Sequence, residues 1–429
     1  MNILKKDFVI LFALAVMSSC FFYYINSQVK PFNEWDTLKY STPDSKTYLD
    51  VGKWLLNEVE FDDVKNSVAI RPFFYPLIIA TLELIHPWSI IAFQFILWQM
   101  QILMLYIACA KICNSRIIAF IFAMTGISII SPVAIILHAL TETVSSFLFT
   151  FSIFMLTLNL YKKSYSYLFA CLMSLSFCSV VRPSFLYIYI LLIVITLSSE
   201  KLNLLYIFII MTTIAPISIQ VYVMNKYFDS YQVSFIDTVA INDYFLPGLE
   251  LYKKNIEGDV NKNSYIRMNR DERRKYIIEM IEKEGYNKAS ENIKKEFFGN
   301  LASYPFETFR QFKDLALENS VQPSSFVTVN MLYIATLSQS RLLLTVNIIS
   351  ILFFLIIILE KITKKTSIQD GYFLYTSLIL FSIFFTYIST GITFWQGDRF
   401  LVPIYYASII LFVFQIKVFF VQYKTAAAA

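Results

Sequence analysis

Apolar residues in this chain come in long unbroken runs, unlike the two-residue alternation of a half-buried strand or the narrow stripe of a water-facing helix. Ten runs are long enough, or nearly so, to cross a bilayer: about 7–25, 88–110, 117–137, 143–160, 165–181, 184–199, 203–224, 341–359, 371–392 and 400–421. The fifth and sixth are short and share a break at Arg182-Pro183, which predicts a tilted or broken hairpin. Two longer polar segments, about 26–87 and 225–340, interrupt the pattern. The expected fold is an all-α polytopic membrane protein of about 10 transmembrane helices, with amphipathic juxtamembrane helices and a small helical extracytoplasmic cap. It divides into an N-terminal transmembrane module (1–224), a helical extracytoplasmic segment (225–340) and C-terminal transmembrane helices (341–425). Ala426–Ala429 reads as an expression scar.

Inside the polar segments the period changes. Thr42-Pro43-Asp44 has the grammar of a helix start, with a capping hydroxyl, a proline in the first turn and an acid favoured by the dipole. Tyr48, Val51, Leu55 and Leu56 then recur at helical spacing, predicting an amphipathic helix along the membrane surface. A charged linker from Asn57 to Ser67 leads to Arg71-Pro72. Proline excludes its predecessor from the helical region, so Arg71 should sit at an extended bend. A short apolar helix over about 73–85 follows. In the later segment, Asn269 with Asp271 and Glu272 opens a helix ending at Gly285. A second runs from Ala289 to Phe298 and stops at Gly299, and Pro305 opens a third. Arg267, Arg270, Arg273 and Arg274 read as a solvated face or as contacts to anionic head groups.

Composition agrees with the runs. Of 429 residues 57% are hydrophobic and 16% charged, against about half and a quarter in soluble domains; the mean hydropathy is +0.58. The net charge of +5 matters less than its distribution. Lys5/Lys6, Lys111/Arg116, Lys162/Lys163, Lys201, Lys361/Lys364/Lys365 and Lys424 fall on alternate ends of the runs. The positive-inside rule makes that side cytoplasmic and puts both termini inside. Lys5 and Lys6 before the first run resemble a secretion signal, but the apolar stretch continues past Cys20, so a retained span is expected. All five cysteines lie within apolar runs, where none can staple an outer loop. With only His86 and His138 present, a histidine-rich metal site is disfavoured. There is no long basic run or zinc spacing to suggest a nucleic-acid partner.

The candidate chemistry gathers on the face opposite the cytoplasm. Asp44 is either a helix-start acid or a carboxylate that accepts a proton from a nucleophilic hydroxyl, with Asp36 and Glu34 as rivals in the same loop. Arg71, Arg182 and Arg399 lie at run ends beside prolines. Each fits interfacial snorkelling or bidentate binding of a phosphate. His138 and Glu142, spaced i,i+4, open the fourth run. Glu142 would orient an arginine, bind a metal or serve a structural ion pair. Trp395, beside Gly397-Asp398-Arg399, suits stacking on a sugar or anchoring at the interface. A divalent metal is compatible with these acids but has no specific spacing behind it.

Five motifs in order carry a family resemblance: Pro43-Asp44-Ser45-Lys46-Thr47-Tyr48-Leu49, Arg71-Pro72-Phe73-Phe74-Tyr75-Pro76-Leu77, Leu140-Thr141-Glu142-Thr143, Arg182-Pro183 and Arg399-Phe400-Leu401-Val402-Pro403. Asn292 to Phe312, with Tyr304-Pro305, adds a helix-proline-helix before the last spans. The chain resembles the GT-C glycosyltransferases, in the branch of the protein O-mannosyltransferases and lipid A aminoarabinose transferases. It is shorter than the fuller members and has no separate C-terminal soluble domain. The resemblance implies transfer of a sugar from a polyprenyl-phosphate carrier, such as undecaprenyl phosphate, to a hydroxyl on the non-cytoplasmic face, with inversion. It also implies Asp44 as general base and Arg71, Arg182 and Arg399 as holders of the donor phosphate, with Tyr48 and Tyr75 in the same motifs.

The expectation is therefore a bacterial inner-membrane glycosyltransferase with a periplasmic site. Its partners would be a polyprenyl-phosphate sugar, membrane lipids, and a glycan or glycolipid acceptor such as lipopolysaccharide or O-antigen. Two rivals stand beside it. An O-antigen polymerase or ligase would use diphosphate-linked glycan, and a lipid-linked sugar transporter or flippase would carry its ionisable residues near the bilayer midplane.

Overall fold

A computed structural model describes residues 2–27, 42–199, 204–254, 259–323, 330–364, 370–393 and 397–427. Every regular element among them is helical. The chain opens with α1 (Asn2–Ser27), followed by α2 (Pro43–Leu55), α3 (Phe61–Ile70) and α4 (Phe74–Ile85), which lie outside the long spans. The central bundle contains α5 (Ser89–Cys113), α6 (Arg116–Ser128), α7 (Ile130–Ile135), α8 (Thr141–Tyr161), α9 (Tyr165–Val181), α10 (Leu186–Ser199), α11 (Leu204–Thr213) and α12 (Ala215–Phe228). A cap is built from α13 (Ile236–Ala240), a π-helical turn (Ile241–Phe245), α14 (Leu246–Lys253), α15 (Asp259–Ser303) and α16 (Pro305–Val321). The chain returns through α17 (Asn330–Lys364), α18 (Asp370–Thr390), a 3-10 turn (Gly397–Ile404) and α19 (Tyr405–Ala427).

Among the described residues, five helices are long and apolar enough to cross a membrane, and six if the bent pair α11–α12 counts as one span. The chain is thus a helical membrane protein, and these helices correspond to five of the ten expected crossings, or six with the bent pair. Among the same residues, five further apolar helical stretches are only 10–17 residues long, one of them the Tyr375–Thr390 part of α18. At 1.5 Å per residue they fall short of a core about 30 Å thick. The run expected over 117–137 is interrupted at Ile129, which is extended, and α11–α12 bends by 42°. The hairpin expected at Arg182-Pro183 is present, with α9 ending at Val181 and a 3-10 turn over Pro183–Phe185.

Small and hydroxylic residues hold the bundle together, since lipid offers helices no hydrophobic incentive to associate. Along α8 and α9, Ser152 Oγ donates to the Cys171 carbonyl at 3.2 Å and Ser174 Oγ to that of Leu148 at 2.7 Å. Trp98 Nε1 donates to Tyr406 Oη at 2.7 Å, tying α5 to α19. Gln94 Nε2 donates to the carbonyls of Ile136 and His138, holding the loop before α8.

Three local expectations are revised. The charged linker Asn57–Ser67 is largely helix: Asp62 and Asp63 sit in the first turn of α3, where the dipole favours acids, and Val64, Val68 and Ala69 bury one face. The first cap helix does end at Gly285, which takes φ +82° in a non-helical break, but the helix after it runs past the expected stop at Gly299 to Ser303. Gly299, with open space around it, costs an exposed helix only about 1 kcal/mol, too little to stop it. Three of the four cap arginines are not simply a solvated face. Arg273 pairs with both Glu296 oxygens at 2.8 and 2.7 Å, Arg274 reaches Asp243 at 2.6 Å, and Arg270 stacks on Tyr244.

Candidate active site

Helix α2 starts as its sequence predicts. Thr42 is extended and its Oγ1 accepts from the Ser45 amide at 3.0 Å, with Pro43 at the first helical position. This leaves Asp44 in the first turn, and Thr47 and Tyr48 one turn later on the same face. Gly52 lets α2 lie directly on α4, because a Cβ there would fall 2.5 Å from the Pro76 carbonyl oxygen. Arg71 follows the end of α3 in an extended conformation (φ −112°, ψ 109°), as its proline neighbour requires. Arg182 is extended for the same reason, at φ −141° and ψ 100°. Arg399 lies in the 3-10 turn that starts at Gly397, whose φ of +58° is a left-handed conformation suited to glycine.

These segments converge. Arg71 Nη2 donates to Asp44 Oδ1 at 2.6 Å, and Arg399 Nη2 donates to Asp44 Oδ2 at 2.8 Å. Arg71 also donates to Thr47 Oγ1 at 2.9 Å and Tyr48 Oη at 3.1 Å, so its whole fork is engaged on α2. Tyr75 packs edge-on against Tyr48, with ring centroids 5.1 Å apart. Arg399 Nε lies 3.3 Å from Glu142 Oε1, and Glu142 is buried in the first turn of α8. Arg182 and Arg399 share the Phe400 ring, their guanidinium carbons 4.6 and 5.1 Å from its centroid. Among the described residues, Arg182 Nη1 and Glu142 Oε2 are buried without a hydrogen-bond partner.

Three guanidiniums against two carboxylates leave the cluster one unit positive. Burial drives the Asp44 carboxyl upward, but Arg71 and then Arg399 outweigh it and hold the group well below the usual carboxylate range. Asp44 is thus a firmly ionised carboxylate with each oxygen on a different arginine. The cluster can bind an anion through its surplus charge and through the unsatisfied Arg182 donor.

Asp398 lies apart from this cluster although it is adjacent in sequence to Arg399. Its side chain is fully buried and accepts from Ser131 Oγ, from Ser340 Oγ at 3.0 Å and from Tyr405 Oη at 2.8 Å. Its amide donates to the Gln322 carbonyl at 2.9 Å, and the Gly397 amide donates to Asn319 Oδ1 at 3.1 Å. Those bonds fasten the turn that presents Arg399. His138 and Glu142 do not share a helix face, because α8 begins only at Thr141 and His138 belongs to the preceding turn. Glu34, Asp36 and Trp395 lie outside the described residues. Sequence reasoning missed Thr47 and Phe400 as contacts of the arginines, although Thr47 stands three residues after Asp44 and Phe400 directly follows Arg399. Among the described residues, no group of three or more His, Cys, Asp or Glu is arranged to hold a metal ion.

Fold and site together define a polytopic helical membrane protein with a buried, net-positive charge cluster, in which Glu142 and Arg399 stand at the starts of two long apolar helices. No protein-family model, curated protein or solved structure matches the chain.

Proposed function

We propose that the protein is an inverting glycosyltransferase. It moves a sugar from a polyprenyl-monophosphate carrier to a hydroxyl of a surface glycan, lipopolysaccharide or lipid, at the periplasmic face of a bacterial inner membrane. In this reading the chain crosses about ten times, with short and broken helices completing the spans and both termini cytoplasmic. The observation that carries it is the convergence of Arg71 and Arg399 from distant parts of the chain on one carboxylate, Asp44, with Arg182 beside Arg399 on the Phe400 ring.

The chemistry follows from those atoms. The donor phosphate takes the unsatisfied Arg182 fork and draws Arg399 toward itself across the shared Phe400 ring. Asp44 loses part of the positive charge that keeps it a poor base, and its proton affinity rises. The acceptor hydroxyl then gives its proton to Asp44 as its oxygen bonds to the anomeric carbon. The carbon–oxygen bond to phosphate breaks, and its electron pair stays on the phosphate oxygen. Preplaced arginines stabilise the charge growing there, so one base suffices and no acid is needed for the leaving group. Glu142 keeps Arg399 oriented while its contact with Asp44 loosens.

A competition assay with purified protein tests the donor class. Polyprenyl-monophosphate sugar is expected to be consumed and to be competed by polyprenyl monophosphate. Preferential consumption of diphosphate-linked glycan would instead favour a polymerase or ligase.

A further inference from the structure

Helix α16 carries its polarity inside out. The side chains it buries include Thr308, Gln311, Asn319 and Ser320, whereas Phe306 is 85% exposed and Phe309 70% exposed. Leu317 prolongs the exposed stripe, and Arg310 and Lys313 stand on the same face. A helix facing water shows the opposite arrangement. At the elbow before α16 the apolar surface continues onto the end of α15 through Phe298, Leu301 and Tyr304, all exposed.

This surface lies on a helix packed against the end of α18, which carries an exposed apolar stripe of its own. Phe312, one turn beyond Phe309, packs so closely on the end of α18 that a Cβ on Gly391 would fall 2.7 Å from the Phe312 carbonyl oxygen. Asn319 Nδ2 fastens the same helix to the carbonyls of Thr390 and Thr393 at 2.9 and 2.7 Å. Helix α18 exposes Phe381, Phe384 and Ile388 at helical spacing, as a span does toward acyl chains. Aromatic rings with flanking cations are the composition that settles at the boundary between head groups and acyl chains.

We propose that the α15–α16 elbow is a bilayer contact, seated in the leaflet on the side of the charge cluster. Phe306 and Phe309 enter the acyl boundary, and Arg310 and Lys313 meet the phosphates of anionic phospholipid. Asp314, 3.9 Å from Arg310 and 3.4 Å from Lys313, offsets part of that charge, so the rings supply the anchoring and the cations the lipid preference. The cap is thereby moored to the membrane at its outer edge as well as through its chain connections. This inference does not depend on the transferase reading.

The test uses the full chain in nanodiscs holding one copy each, made of phosphatidylethanolamine and phosphatidylglycerol. An environment-sensitive fluorophore is attached at Phe309→Cys or, as a control, at Glu282→Cys on the exposed face of α15. Lipids carrying a shallow nitroxide should quench the probe at position 309 at least fivefold more than the control. A membrane-impermeant maleimide should label Phe309→Cys about tenfold more slowly than Glu282→Cys. Equal quenching and equal labelling at the two positions would overturn the contact. Slow labelling without lipid quenching would overturn it too, since the face would then be covered by protein. The pair Arg310→Glu and Lys313→Glu, both at exposed positions, should reduce quenching in phosphatidylglycerol and leave it unchanged in phosphatidylcholine. An equal reduction in both lipids would remove the assigned role of the cations.

Discussion

Replacing Asp44 by Asn separates a catalytic carboxylate from a structural one. The amide keeps the shape of the side chain but removes the negative charge shared by Arg71 and Arg399, whose side chains are only 10% and 13% exposed. Breaking a fully buried pair costs about 3–5 kcal/mol, and an exposed one under about 1. Asp44 is one-third exposed, and both arginines keep other partners, Thr47 and Tyr48 for one and Glu142 for the other. The folding cost should therefore be about 2 kcal/mol, enough to lower the melting temperature by a few degrees without unfolding the protein. The charge of the cluster rises from one to two units positive. At about 6 Å and an effective dielectric near 20, one added charge attracts a phosphate by about 3 kcal/mol. Halving this for the solvent-facing side leaves about 1.4 kcal/mol, or tenfold tighter binding. Loss of the base should at the same time lower kcat by about 10²–10⁴-fold. The assay is steady-state transfer with a polyprenyl-phosphate sugar, paired with equilibrium binding of polyprenyl phosphate. A fall in kcat with tighter binding supports the mechanism. A kcat near wild type, or activity and phosphate binding weakened together in proportion to lost folded protein, would refute it.

Further outcomes follow from the same geometry. Arg182→Ala should raise the donor KM and lower kcat/KM by about 10–150-fold, the worth of one charge-assisted hydrogen bond, with little change in melting temperature. Arg182→Lys should recover only part of this, because the planar fork is lost. Gly52→Val forces α2 away from the Pro76 carbonyl, which overpacking puts at about 1–3 kcal/mol. It should lower the melting temperature and, by moving Asp44 off Arg399, reduce transfer more than stability alone accounts for; differential scanning fluorimetry beside the transfer assay reads both. Asp44 also sets an acid limit. Its folded carboxyl titrates below the usual range, so its contribution to stability is fully present above about pH 4 and is lost as pH falls through the lower folded value. The stability gap between wild type and Asp44→Asn should be constant from about pH 5 to 8 and shrink below about pH 4. A gap that widens on acidification would contradict that sign.

Much of the site was legible because its residues sit where backbone rules act locally. Thr42-Pro43 announces the start of α2 and so the place of Asp44, and the prolines after Arg71 and Arg182 require the extended bends observed. Glu142 was visible as a charge entering an apolar run. The hidden part is long-range. Nothing in the neighbourhoods of Ser131, Ser340 or Tyr405 marks them as the hydroxyls that surround Asp398, because they approach it from three separate helices. Breaks within the apolar runs were hidden for a related reason. Composition reports that a run is apolar, but a hydropathy window averages away the break at Ile129 and the 42° bend between α11 and α12, which falls at Pro216 in the first turn of α12. Helix α3 was lost to the opposite bias, since its charges suggested a linker while Val64, Val68 and Ala69 were quietly supplying a buried face.

The central claim is that the Asp44–arginine cluster transfers a sugar from a lipid monophosphate. It is tested most directly by reconstituting the purified protein in nanodiscs with a radiolabelled polyprenyl-phosphate sugar and membrane glycolipid acceptors, then following label in lipid and acceptor together. The account predicts transfer of label with stoichiometric release of polyprenyl phosphate, abolished by Asp44→Asn and strongly weakened by Arg182→Ala. Label that stays on its carrier across a panel of sugars and acceptors, or that moves equally well in the Asp44→Asn protein, would contradict it.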